Sequence, residues 1–155
     1  MPQFEFGNMW NAFHDTDAFC ITTNSYIRND GELVMGRGIA KQTKELFEDL
    51  PLALGNKVEE RCGHLGTYGL LPSNRNDIDK FVAFQVKSHF KNEADLGLIS
   101  KSADRLSEIA MMYPNKRFDL NFPGIGNGGR SQSEVMPLIE GMPDNVHIWR
   151  FEHQK

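Results

Sequence analysis

The sequence is poor in cysteine, in long apolar runs and in surplus positive charge, and each shortage excludes something. Cys20 and Cys62 are the only two cysteines in 155 residues and show no C-x-x-C spacing. A disulfide framework and a structural zinc site are thereby disfavoured, and a reducing, cytoplasmic setting is expected. Nowhere do about 18 apolar residues follow one another, and the opening MPQFEFGNMW has no basic segment ahead of an apolar one. No membrane span and no secretory signal is therefore expected. Lys and Arg number 17 against 21 Asp and Glu, a net charge of −4. That balance argues against a broad basic surface gripping nucleic acid through its phosphates, while leaving a nucleic acid end or a single modified base open as substrate. His14, His64, His147 and His153 have no metal-ligand spacing, so neither a metal nor a cofactor is expected.

What is present suits one globular domain of 155 residues, 39% of them hydrophobic. A chain of about this length buries roughly two-thirds of its unfolded surface and needs no covalent staple. The apolar run 17–22 is too short for a helix and predicts a buried strand; 65–71, 80–86, 117–122 and 146–151 predict four more. Ile39, Thr43, Leu46, Phe47 and Leu50 share a helical face over 39–50, Pro51 breaks that pattern, and 52–61 predicts a second short helix. Leu96, Ile99, Ala103, Leu106, Ala110 and Tyr113 recur in steps of three and four, an amphipathic helix that starts from Asp95 and is stopped by Pro114. A further helix is expected over 134–140, capped by Ser133, with Pro137 in its first turn. Residues 72–79 are expected to form a polar turn. Strands alternating with helices, without repeats or linkers, predict an α/β domain with helices on both faces of a mostly parallel or mixed sheet.

Seven of the 14 glycines crowd into two places: Gly31, Gly36 and Gly38, then Gly124, Gly126, Gly128 and Gly129. Each cluster follows a predicted strand and precedes a predicted helix. Such loops present free backbone N–H groups and the positive end of a helix dipole, which hold phosphate without a basic side chain. In open α/β sheets ligands bind beyond the carboxyl ends of the strands, so two such loops at one sheet edge suit a diphosphate. Neither loop carries G-x-x-x-x-G-K-[ST], and the first lacks the third glycine of G-x-G-x-x-G, which disfavours a P-loop NTPase and a Rossmann dehydrogenase.

At these residues the chain resembles the macro domain family, whose members bind ADP-ribose. The segment DAFCITTN (17–24) resembles their D-A-I-V-N-A-A-N strand, VMGRGIA (34–40) their first ligand loop, and FPGIGNGG (122–129) their phosphate-clamping loop, continued by Val135 and Pro137. The segment FQVKSHF (84–90) looks like the F-P-x-K-x-H-W of the branch containing the terminal ADP-ribose glycohydrolase and the antitoxin macro domains that remove ADP-ribose from thymidine in DNA. The resemblance implies a three-layer α/β/α sandwich with a mixed central sheet, spanning residues 1–155 as a single domain. Ile21 departs from the first Asn of the family strand, RSQS (130–133) stands where relatives carry an L-D-W-E type sequence, and the second loop lacks the resolving carboxylate of the terminal glycohydrolase. These departures touch the hydrolytic mechanism more than ligand binding.

Lys87 matches the family's catalytic lysine. Read on its own it is a lysine at the end of an apolar run, where partial desolvation lowers the pKa of an amine and suits it to attack an anomeric carbon. The resemblance implies attack on C1'' of the distal ribose, or acid–base help to ring opening, with release of a modified base or side chain. Asn24 is either a turn former or an amide fork to the distal ribose, and Asn8 stands where the family places an acidic residue against the adenine amino group. Gly36, Gly38, Gly124, Gly126, Gly128 and Gly129, with the N–H groups of Ile125 and Asn127, would hold the two phosphates. Arg37 reaches substrate beyond the ribose or is a solvated loop charge. His89, two residues from Lys87 on the same side of an extended chain, orients it or is structural. Phe90 and Phe122 are candidates to flank the ligand. The expected partner is ADP-ribose or an ADP-ribosylated DNA base or protein. An ADP-ribose-1''-phosphate phosphatase and a non-catalytic ADP-ribose reader or sponge are the alternatives.

Overall fold

A computed structural model describes residues 1–73 and 80–150. Most of the expected turn over 72–79, the end of the last strand at Phe151, and His153 lie outside the described residues. A six-stranded sheet runs in the order β1 (Gln3–Phe6), β6 (Val146–Arg150), β5 (Phe118–Asn121), β2 (Ala18–Thr23), β4 (Phe81–Gln85), β3 (Leu70–Pro72). All neighbours are parallel except β3, which pairs antiparallel with β4. The sheet is mixed, and helices cover both of its faces.

The side-chain period of two explains the layers. On β2, Cys20 faces one core with Phe84, Leu120 and Ile148, roofed by Ile99, Ala103 and Leu106 of α3 (Leu96–Met112) and by Val135 and Ile139 of α4 (Gln132–Ile139). Phe19 and Ile21 face the other, with Phe81 and Ala83, under Ile39 of α1 (Gly38–Leu46) and Leu50, Leu54 and Val58 of α2 (Leu50–Arg61). The central strands are buried on both sides, so they read as continuous apolar runs. Buried Asp119 on β5 is held by both the Nε and Nη2 of Arg117 and by the Trp149 indole N–H, so its charge is paired where water is absent.

Several boundaries differ from expectation. The first helix stops at Leu46, and Leu50 opens α2 with Pro51 in its first turn, where the missing N–H costs nothing. The helical face of Ile39 to Leu50 thus spans two helices. The strand expected over 65–71 contracts to Leu70–Pro72, because Leu65 and Gly69 take φ of 64° and 77° and bend the chain. Strand β1 and a 3-10 turn, Met9–Ala12, were not expected. Helix α4 is capped by Ser131, not Ser133: the Ser131 hydroxyl accepts the Glu134 N–H while the Glu134 carboxylate accepts the Ser131 N–H. Pro137 consequently falls beyond the first turn, inside the helix. There it leaves the Ser133 carbonyl without its i→i−4 donor.

No helix among the described residues is long and apolar enough to cross a membrane.

Candidate functional site

Strand order places the crevice. From β2 the chain passes through α1 and α2 to β3 and β4 on one side, and from β5 through α4 to β6 on the other. The sheet therefore reverses direction between β2 and β5, the position where α/β sheets open beyond their carboxyl ends. Backbone pairing of these strands stops at Cys20 with Leu120. Past it the Asn121 amide takes over, its Oδ1 accepting the Thr22 N–H at 3.0 Å and its Nδ2 donating to Thr22 Oγ1 at 2.8 Å. Asn121 holds the splayed strands at the mouth, a role its place within a short strand did not announce.

The first loop, 24–37, leaves β2 at Asn24. Its amide is spent within the loop: Nδ2 donates to the Val34 carbonyl at 3.0 Å and Oδ1 accepts the Tyr26 N–H at 2.9 Å. Asn24 is buried and fixes the course of the chain toward Gly36. Gly31 belongs to a hairpin turn closed by the Ile27–Leu33 bridge and is not part of an open loop. Helix α1 then starts from Arg37 with no side-chain cap, and the N–H groups of Gly38, Ile39 and Ala40 make no hydrogen bond among the described residues. These are three aimed donors at the positive end of a helix.

The second loop leaves β5 at Phe122 and forms a 3-10 turn, Gly126–Gly128, also without a side-chain cap at Ile125. Gly124 and Gly128 are glycine for lack of room. A Cβ at Gly124 would meet Ile99 Cδ1 at 2.7 Å, and one at Gly128 would meet Ala94 Cβ at 3.2 Å. Gly36 and Gly38 have nothing within 4 Å of such a Cβ and face open space. Among the described residues the N–H groups of Ile125, Gly126 and Asn127 are unused, so this loop too presents three donors.

Lys87 lies between the two loops by contact. On one side the Ser25 N–H donates to the Ser88 carbonyl; on the other the Ala94 N–H donates to the Gly128 carbonyl, and Arg130 Nε donates to the Ala94 carbonyl at 2.7 Å. The Lys87 ammonium is half-buried and donates to the carbonyls of Phe90, at 3.2 Å, and Asn92, at 3.0 Å. Burial holds its pKa below the ordinary lysine range. Beneath it Gln85 is fully buried and fully satisfied: Oε1 accepts the N–H groups of Tyr68 and Gly69, and Nε2 donates to the carbonyls of Gly66 and Lys87. Tyr68 completes this base, its hydroxyl donating to the Asn24 carbonyl at 2.7 Å while also bonded to Thr23 Oγ1. Only the run of apolar neighbours hinted that Gln85 would be inside.

The remaining expected residues are placed as follows. Asn8 follows β1 at the same sheet edge, exposed, with its Oδ1 accepting the Trp10 N–H. Arg37 and Asn127 are exposed. Phe122 is buried, with the Arg150 guanidinium 6.0 Å from its ring. The chain bends after Val86, so His89 does not extend alongside Lys87; it packs against Tyr26 and Phe90 instead. Among the described residues no three His, Cys, Asp or Glu side chains gather in a way that would hold a metal. An open cavity of about 630 Å³ lies elsewhere, lined by Arg61, Thr67, Gly69, Lys101, Asp104 and Arg105, and none of its walls comes from either glycine loop.

No family model and no curated protein matches the sequence. Solved structures do match in fold. Thermosipho africanus DarTG in complex with ADP-ribose has a TM-score of 0.74 at 20% identity over 99% of this chain, which spans 42% of that one. The Thermus aquaticus DarG macrodomain has a TM-score of 0.68 at 22% identity, covering 98% of both chains. The macrodomain of Mycobacterium tuberculosis DarG has a TM-score of 0.69 at 22% identity, over 96% of this chain and 97% of that one. The fold is that of the macrodomains.

Proposed function

We propose that this macrodomain-fold chain binds ADP-ribose in the crevice between residues 24–38 and 122–130 and removes it from a modified nucleobase or protein side chain through Lys87. One observation carries the binding half. Two uncapped turns, at 38–40 and at 125–127, present unused backbone donors at the one place where the sheet reverses direction. That is a diphosphate site that needs no basic side chain, which suits a chain of net charge −4. The Thermosipho africanus DarTG structure, which shares the fold, is a complex with ADP-ribose.

For the reaction, the support is that the segment of Lys87 is bonded to both glycine loops and that its lowered pKa increases the fraction of neutral amine. Attack of that amine on C1'' forms a C–N bond while the bond to the base or side chain breaks, its electron pair leaving with that group; water then releases the sugar from the lysine. Lys87 must first let go of the Phe90 and Asn92 carbonyls. The same two bonds favour a second reading, a non-catalytic reader in which the ammonium only braces its loop.

Calorimetric titration with ADP-ribose against ATP and NAD tests the site, and no ADP-ribose binding at hundreds of micromolar refutes it. Lys87→Ala separates the two readings. An enzyme should lose release of ADP-ribose from modified DNA or protein while retaining binding; unchanged release refutes the lysine mechanism.

A further inference from the structure

Tyr26, in the first glycine loop, stands where the segments of His64 and of Lys87 to Lys91 meet that loop. Its ring is 4.7 Å from the His64 imidazole, 4.8 Å from His89 and 4.9 Å from Phe90, each approached edge to face. His89 stacks in turn on Phe90 at 4.8 Å. Both imidazoles also hold backbone: His64 Nδ1 accepts the Ile27 N–H at 3.0 Å, and His89 Nδ1 accepts the Lys91 N–H at 3.2 Å. A ring nitrogen that accepts from an N–H carries no proton, so each neutral ring bears its proton on Nε2. Protonation places a second N–H at Nδ1, directly opposite the backbone N–H, and turns each bond into a repulsion.

Among the described residues neither ring is hydrogen-bonded to an acid that would stabilise its imidazolium. From the first loop the facing group is the Tyr26 phenol. The segment of His89 itself contributes two cations, Lys87 and Lys91, the latter 5.9 Å from the Phe90 ring. The acid of that segment, Glu93, is turned to Arg130 at 3.7 Å. His64 follows Glu59, Glu60, Arg61 and Cys62 at the end of α2, two acids beside one cation. Among the described residues no carboxylate pairs with either ring.

What the two rings hold is the frame of the crevice. Tyr26 is bonded through its N–H to Asn24 and through its carbonyl to Val34, which runs directly into Met35 and Gly36. Lys91 lies between Phe90 and Asn92, the two residues whose carbonyls hold the Lys87 ammonium. We infer that His64 and His89 are positioning residues that clasp the rim of the crevice around Tyr26 only while both are neutral, so that acidification sufficient to protonate them loosens the rim and releases the bound ligand. The release of a ligand rests on the crevice being an ADP-ribose site; the clasp does not.

The amide protons of Ile27 and Lys91, followed by NMR without ligand as the solution is acidified from about pH 8 to 5, should shift together and lose exchange protection as the two rings protonate. ADP-ribose affinity should fall on acidification from about pH 7.5 to 5.5, by about fivefold for each bond lost. Alanine at either histidine should cost about that factor at the higher pH. Asparagine, whose Oδ1 reaches the place of Nδ1 and accepts at every pH, should recover the alanine loss and abolish the pH dependence in His64→Asn/His89→Asn. Amides of Ile27 and Lys91 that ignore pH overturn the clasp. So does affinity that rises on acidification, as imidazolium drawing in a diphosphate would give, or an asparagine variant that keeps the wild-type pH profile. Titrating amides with no ADP-ribose binding at any pH would uphold the clasp and overturn the ligand assignment.

Discussion

Alanine at Gly124 and alanine at Gly36 should behave oppositely, and the contrast tests how the glycines divide between packing and ligand access. Gly124 has φ +82°, and a Cβ there would lie 2.7 Å from Ile99 Cδ1, 3.4 Å from Val135 Cγ2 and 3.5 Å from Ala94 Cβ. The left-handed backbone costs an alanine about 1–2 kcal/mol. Forcing a methyl against the Cδ1 of Ile99, which is wholly buried and must repack to make room, costs about 1–3 kcal/mol more. The sum of about 2–5 kcal/mol is a large share of the roughly 5–15 kcal/mol that a domain possesses. At about 2–4 °C per kcal/mol for this size, the melting temperature should drop by about 4–20 °C. Gly36 lies outside the left-handed region and has nothing within 4 Å of its Cβ position, so Gly36→Ala should leave the melting temperature unchanged or slightly raised. Its methyl instead stands beside the uncapped start of α1. Loss of one charge-assisted bond to phosphate there weakens ADP-ribose binding by about tenfold or more. Thermal unfolding by circular dichroism, with calorimetric titration well below both midpoints, reads the two effects separately. Equal losses of stability in the two variants, or an undisturbed Gly124→Ala, would refute the division.

Two further outcomes follow from single contacts. Ser131→Ala removes the hydroxyl that accepts the Glu134 N–H, one half of the α4 capping box, and should cost about 1 kcal/mol, whereas Ser133→Ala, exposed and bonded only to the Ser131 hydroxyl, should cost little; matching melting temperatures for the two would refute the cap assignment. Burial lowers the Lys87 pKa, so the unfolded chain binds this proton more tightly than the folded one, and its contribution to stability should rise with pH in the window between the folded value and about 10.4. Buried Cys20 and Tyr68, whose pKa values burial raises, lower the stability of both proteins as pH rises through that window, so the quantity that should rise is the difference in denaturant midpoint between the wild type and Lys87→Met; parallel profiles would show that the amine is not desolvated.

The sheet, the α3 stripe and both glycine loops were legible because each depends on residues close in sequence. The apolar pattern of β2 and β4 survives burial on both faces, and the steps from Leu96 to Ala110 define one helical face without reference to anything else. Strand β1 was missed because its pairing partner β6 lies about 140 residues away; Gln3, Phe4, Glu5 and Phe6 alternate, but only the pairing with His147 to Arg150 makes a strand of them. The site divides along the same line. Residue type alone marked two glycine loops, yet it could not separate Gly124 and Gly128, where a Cβ would crowd Ile99 and Ala94, from Gly36 and Gly38, which face open space. Nor could it show that the Asn24 amide is consumed by Tyr26 and Val34, or that Gln85, one of several polar residues after an apolar run, ties the Lys87 backbone to residues 66–69.

That last contact changes how Lys87 is to be understood. Apolar neighbours predicted a desolvated amine, and desolvation is present, but two backbone carbonyls within its own loop hold the ammonium in place. Desolvation disfavours the charged form and the carbonyls favour it, so the two oppose each other at one nitrogen. Any attack on an anomeric carbon therefore begins with a change in residues 87–92, and the groups that steady that segment, Gln85 beneath it and the Tyr26, His89 and Phe90 rings above it, govern the lysine as much as its own chemistry does.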